Sequence, residues 1–209
     1  MKKLNYLILS LVVLCFSCCT IFKKEIKKPV VVKIVAPENY ASINANVNYV
    51  KYVTGSPNDY QNKFIENFMS EGKNTHNVTI DNESQSPDYI IEIKYVNVTE
   101  GEFTQTVSDA QSPYNGQNFF LNKVEASCNV NVLDAKTNKQ IGFSCSNIKS
   151  RQEKIKNTRT LGDLVTGSNK DHKSYHEKSL RSDIAMDLAG DVGRRVWVPI
   201  TKRIRKSLK

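Results

Sequence analysis

Two apolar rhythms with a four-residue step bracket a long stretch whose polarity alternates every two residues, and this order leaves few ways to build a core. Tyr60, Phe64 and Phe68, with Ile65 and Met69 beside them, form one stripe. Leu180, Ile184, Leu188, Val192 and Val196, with Ala185 and Ala189 alongside, form the other. A four-residue step gathers side chains on one face of a helix, and a two-residue step gathers them on one face of a strand. Each helix then has an apolar stripe to bury, and the strands between them offer the surface. The sequence predicts an α+β domain, a mostly antiparallel sheet with two main helices packed on one face.

The first helix carries its own punctuation. Ser56 is placed to cap it, Pro57 suits the first helical position, and Asp59 stands at the spacing of a capping box. Gly72 supplies a stop. Ahead of it, "VVVKIVA" at 30–36 reads as a strand dense in β-branched residues, and Val47, Tyr49 and Val53 suggest a second within 37–55. Further strands are expected near 77–81, 88–98 and 119–133. Within 88–98, Tyr89, Ile91, Ile93 and Tyr95 share one face, with Ile90, Glu92, Lys94 and Val96 opposite. The polar stretch 99–118, with Pro113 and Gly116, reads as a long surface loop. The closing helix is expected over about 174–198, with Pro199 just past its end; Trp197, beside the arginines, suits a headgroup interface or, more plainly, the core.

"CNVNVLDAKTNKQIGFSC", from Cys128 to Cys145, reads as a hairpin. With a four-residue loop at 135–138, Asp134 faces Lys139, Val132 meets Ile141 and Val130 meets Phe143. Cys128 then falls opposite Cys145, at a spacing of ~4.5–5.5 Å that overlaps the disulfide range of ~4.4–6.8 Å. A Cys128–Cys145 bridge is one expectation, and two reduced core cysteines are the other.

The beginning of the chain speaks to location. Lys2 and Lys3 precede a run from Leu4 to Phe16 that is apolar apart from Asn5 and Ser10, followed by Ser17 and Cys18. A basic start, a short apolar run and a small residue make up a secretory signal, 1–17. Leu14, Cys15, Phe16, Ser17 and Cys18 together resemble a relaxed bacterial lipoprotein box. That resemblance implies a lipidated cysteine at Cys18, with Cys19 the second choice. The bulky Phe16 and the Cys15 before it depart from the strict pattern. The other reading is an uncleaved membrane helix over Leu4–Phe22, and both put the body of the protein at a membrane. Surface-displayed lipoproteins of some Gram-negative groups have acidic residues after the lipid cysteine. Here Lys23 and Lys24 are basic, which favours an outer-membrane protein facing the periplasm.

Charge points to the opposite terminus. Residues 194–209 hold seven Lys/Arg and no acid, and the chain from 18 to 193 is balanced at 21 of each. Arg194, Arg195, Lys202, Arg203, Arg205 and Lys206 are therefore the candidates for an anionic partner, such as phosphate-bearing lipid or an envelope protein. An envelope location argues against nucleic acid. The plainer reading is a helix end whose cations complement the macrodipole. The expected division is 18–29 as a tether, 30–198 as one domain and 199–209 as a basic tail.

Catalytic signals are thin. "GDLVTGSNK" lacks the order of a phosphate loop, and no cofactor is expected. His172 and His176 share a helical face at four-residue spacing, a weak metal pair with no third ligand in view. A hydrolase or metal-dependent enzyme using 151–177 is the alternative function. "SPDYIIEI" followed by "VNVLDAKTNKQIGFS" resembles the small periplasmic lipoprotein domains related to the curli-secretion lipoprotein and the penicillin-binding-protein activators. The likeness, in element order over about 30–198, implies an α+β fold and a non-enzymatic accessory, assembly or binding role in the envelope. It transfers no functional residue.

Overall fold

The computed structural model describes residues 26–107, 115–152 and 179–209. Its elements run β1 (Val30–Val35), β2 (Ala41–Asn46), α1 (Pro57–Lys73), β3 (Val78–Ile80), β4 (Tyr89–Thr106), β5 (Asn118–Asp134), β6 (Lys139–Arg151), α2 (Ile184–Arg195) and α3 (Trp197–Ser207). The six strands form one sheet: five run in the order β3-β1-β4-β5-β6, and β2 lies off that path, paired with β4. Its long ladders, β4–β5 and β5–β6, are antiparallel. β1 pairs in parallel with both β3 and the first part of β4, and β2 continues along the same side of β4 from Val96 to Gly101. The fold is α+β and mostly antiparallel, as the alternation predicts, with a parallel side.

α1 forms as its punctuation dictates. The Ser56 side chain accepts from the Asp59 backbone N–H, and the Asp59 carboxylate accepts from that of Ser56, a complete capping box. Tyr60, Phe64 and Phe68 are buried. Phe64 and Phe68 stack with centroids 5.5 Å apart, and Phe68 lies 5.0 Å from the Trp197 ring. Gly72 does a different job from the stop expected of it. A Cβ there would sit 2.3 Å from Cζ2 of Trp197, so its bareness lets the indole reach α1, where Nε1–H donates to the Phe68 carbonyl at 2.6 Å.

Several expectations need correction. The second strand lies at Ala41–Asn46, ahead of the residues that suggested it. β4 runs on to Thr106, far into the stretch expected to be loop, whereas β5 begins at Asn118, one residue ahead of the strand expected at 119–133. The ladder slips between Ile93 and Tyr95, so that Tyr95 is exposed and Val96 buried, the reverse of a strict alternation. The tail is no tail: 197–207 is α3, and Ile200 and Ile204 are fully buried in the core. At the other end Ile26 is buried too, so the domain starts inside the expected tether. α2 and α3 form one bent helix, broken at Val196. Pro199 lacks the N–H that would bond the Arg195 carbonyl, and its ring crowds that turn. The two helical arms and α1 cover a single face of the sheet.

Candidate functional site

The residues singled out in the sequence do not converge. Cys18, Cys19, His172 and His176 lie outside the described residues, as does 153–178, nearly all of the segment proposed for an enzyme. Among the described residues no group of three His, Cys, Asp or Glu side chains is placed to hold a metal, and no helix is long and apolar enough to cross a membrane.

Cys128 and Cys145 are free, and the hairpin register explains why. Asp134 faces Lys139 as expected, but the ladder shifts between Leu133 and Val132, and Val132 pairs with Gly142 rather than Ile141. From there on every residue is displaced by one, and a one-residue slip moves a side chain to the other face. Cys128 faces Ser146 and is buried under the helices, while Cys145 faces Asn129 and is exposed. The expected bridge is therefore overturned. Burial pushes the Cys128 thiol up to about 12.

The basic residues divide by task. Arg194 donates to Asn67 Oδ1 at 2.9 Å and pairs with Asp191, tying α2 to α1. Arg203 lies across Gly142 of β6, where a Cβ would meet its Cδ at 2.7 Å. Arg205 is half-buried. Arg195, Lys202 and Lys206 are exposed, with Val198 between them on the outer side of the bent helix.

A buried polar constellation that the sequence reading passed over lies at the far end of the sheet. Glu100, 1 % exposed, stands on β4 where the core-facing row of Val96 and Val98 continues. Its carboxylate accepts from the backbone N–H groups of Lys51, Tyr52 and Val53, the tightest at 2.8 Å, and from Nδ2 of Asn122 at 2.7 Å. A carboxylate has about four acceptor positions, and these donors fill them. Asn122 in turn exchanges bonds with Gln152, whose Nε2–H donates to the Tyr52 hydroxyl at 2.7 Å. The group thus clamps the 51–53 segment, β4, β5 and the end of β6. Glu100 ties three backbone N–H groups and one side-chain amide together inside the fold.

The clamp fixes the backbone two residues away from each of two exposed aromatic side chains. Tyr49 is 78 % exposed and Phe120 76 %, the two most exposed large apolar residues described. Tyr49 precedes Lys51 by two residues, and Phe120 precedes Asn122 by two. Phe120 pairs with Thr104, on the same face of β4 as Glu100 and Glu102. Asn48 N–H donates to Glu102 on that face, which brings the 47–53 segment across it. The projecting end of the β4–β5 hairpin is thus an arm with aromatic side chains in solvent. Glu100 carried no signal in the sequence: strict alternation sets it in step with Glu92 and Lys94, and only the ladder slip at Lys94 turns the row of Val96, Val98 and Glu100 to the core.

No family model matches the chain, and no curated protein does. Solved structures are similar in overall outline. One is a Helicobacter pylori protein described as a neuraminyllactose-binding hemagglutinin homolog, 15 % identical, with 85 % of this chain and 86 % of that one covered and a TM-score of 0.44. A Xanthomonas campestris protein of the DUF330 family is 11 % identical, covering 87 % and 86 %, with a TM-score of 0.38. A minor lipoprotein from Acinetobacter baumannii is 7 % identical, covering 85 % and 93 %, with a TM-score of 0.33.

Proposed function

We propose that this chain is a lipid-anchored binding or assembly protein of the bacterial envelope, tethered through Cys18 and presenting the β4–β5 arm to a protein partner. The lipoprotein-box pattern at Leu14–Cys18 supports the anchor. What carries the binding role is the coupling of a fully buried, fully bonded Glu100 to two highly exposed aromatic residues. Single exposed apolar side chains are ordinary on a protein surface. Here a buried charge, costly unless fully paired, fixes the backbone that carries them. Aromatic residues are enriched in protein interfaces and dominate their binding energy.

A photoreactive residue placed at Phe120 or Tyr49, in cells, tests the reading. The arm positions should crosslink to one envelope protein, and the same probe at exposed Asn62 on α1 should not. Equal crosslinking at all three positions, or none, removes the arm as an interface. Intact mass of the native protein tests the anchor: the expected N-terminus is an acylated Cys18, and an unmodified chain starting at Met1 sinks it.

A further inference from the structure

The chain enters the fold at the end of the sheet where its basic helix finishes. The carbonyl of buried Ile26 accepts from Asn77 Nδ2 at 2.7 Å, and Val30 N–H donates to Asn77 O at 3.0 Å. Next along, Val31 N–H donates to Asp88 Oδ2 at 2.9 Å, and Asp88 N–H returns to the Val31 carbonyl at 2.8 Å. Ala135 N–H, in the β5–β6 turn, donates to Asp88 O at 3.0 Å. The Tyr89 hydroxyl lies 2.8 Å from Ser207 Oγ at the end of α3. These bonds string the chain's entry, the start of β4, the β5–β6 turn and the C-terminus of α3 into one end of the domain.

That end is basic in its exposed groups: Lys27, Lys28, Lys136, Lys139, Lys206 and Lys209. Two carboxylates found there are turned to backbone. Asp88 is bonded to Val31, and Asp134 Oδ1 accepts from the N–H groups of Lys136 and Thr137 and from the Thr137 hydroxyl. Asp81 and Glu83 stand in the loop that leaves β3, at the side of the sheet. The lysines come from segments far apart in sequence, so no composition window could gather them.

Resting on the lipid-anchor reading above, we infer that this end is a seat for an anionic lipid leaflet, which holds the domain with its arm pointing away from the bilayer. Phosphate headgroups are the partner that suits converging lysines, and an acyl anchor joined to a basic patch binds more firmly than either alone. Tether length limits the other orientations. From Cys18 to Ile26 is eight residues, a reach of at most ~29 Å, whereas the eighteen residues of β4 extend about 60 Å. An anchored domain therefore cannot stand on its arm. It can lie on its side or sit on its basic end, and the charge selects the second.

Amine acetylation of the full-length acylated protein, read residue by residue by mass spectrometry, tests this in vesicles. The probes are phosphatidylcholine alone and phosphatidylcholine with phosphatidylglycerol. On the anionic vesicles, Lys27, Lys28, Lys136, Lys139, Lys206 and Lys209 should react several-fold more slowly, and high salt should restore them. Lys51, Lys123 and Lys149 should not change. Protection of this second set, uniform protection or none at all overturns the seat. The Lys136→Glu/Lys139→Glu variant, altered only at exposed positions of the β5–β6 turn and the first residue of β6, should float with vesicles yet lose much of the protection at the other four. Flotation separates the two readings. Failure to float with phosphatidylcholine counts against the anchor; flotation with anionic vesicles only, with the basic end protected, keeps the seat; flotation with neither overturns both.

Discussion

The β4–β5 hairpin is one continuous pair of strands held in two different ways. From Tyr89 to Val98 its inner face carries Ile91, Ile93, Val96, Val98, Val130 and Val132, all buried beneath the helices. From Glu100 onward the covering layer is the 47–53 segment, and the fastening is a carboxylate, an amide and backbone N–H groups. The near half is stabilised by apolar contact, which is non-directional and spread over many atoms. The far half depends on a few directional bonds, each costly to leave unmade once buried. A domain built this way can keep a solid base while the position of an exposed arm hangs on single residues.

The largest effect should come from breaking the near half. Phe64 is fully buried between Tyr40 and Phe68, and Phe64→Ala is expected to lower stability by about 3–5 kcal/mol, seen as a shift of the whole chemical-denaturation curve. Glu100→Ala should cost somewhat less, about 2–4 kcal/mol, because water can enter and rebond part of what is left unpaired. The location should differ more than the size. Amide exchange should accelerate at 51–53 and near Asn122 in the Glu100 variant, with Ile91 to Val96 still protected. Cys128 offers a chemical readout of the same contrast. Its thiol is raised by burial, so at neutral pH it stays protonated and unreactive while exposed Cys145 is modified. Phe64→Ala should speed modification of Cys128, and Glu100→Ala should not. A raised thiol pKa contributes stability below the unfolded value near ~8.5 and loses it as pH climbs toward about 12, so alkali weakens the near half. If both variants unfold the domain alike, the hairpin is one unit and the contrast is wrong.

The same division governs what the sequence disclosed. The near half was legible because apolar periodicity reports on it directly: the stripes of α1 and α2 and the strand at 88–98 all name their partners by polarity. The far half reads as loop because "TEGEFTQT" is polar, and a polar clamp looks like solvent-facing sequence until its partners are known. Two ladder shifts account for the other misses. A bulge costs one residue and reverses every face beyond it, so Tyr95 came out exposed and Cys145 turned away from Cys128. Nothing in the composition around Lys94 or Ile141 announces either shift. The basic terminus was legible as charge. Which cations are spent on packing, as Arg194 and Arg203 are, depends on contacts with Asn67 and Gly142 that lie far away in the chain.

The smallest predicted effect probes where the two halves meet. Ser56 lies between the clamped 51–53 segment and α1, so its cap belongs to the near half by function and borders the far half by position. Ser56→Ala removes the hydroxyl that bonds Asp59 Oδ2 at 2.8 Å and accepts from Asp59 N–H, and should cost about 1 kcal/mol. Bonds from the Ser56 backbone N–H and then its hydroxyl hold the Asp59 carboxyl below the usual carboxylate range. A depressed carboxylate stabilises the fold above its unfolded pKa of about 3.9 and loses that contribution as pH falls through the folded value. The gap between wild type and Ser56→Ala should therefore be full at neutral pH and narrow in acid, as measured by thermal unfolding from pH 7 down to about pH 3. Exchange should quicken in the first turn of α1 and remain slow at Tyr52 and Val53, whose N–H groups answer to Glu100 rather than to the cap. Release of 51–53 in this variant would mean that cap and clamp open together, and that the arm is fastened through α1 as much as through its buried carboxylate.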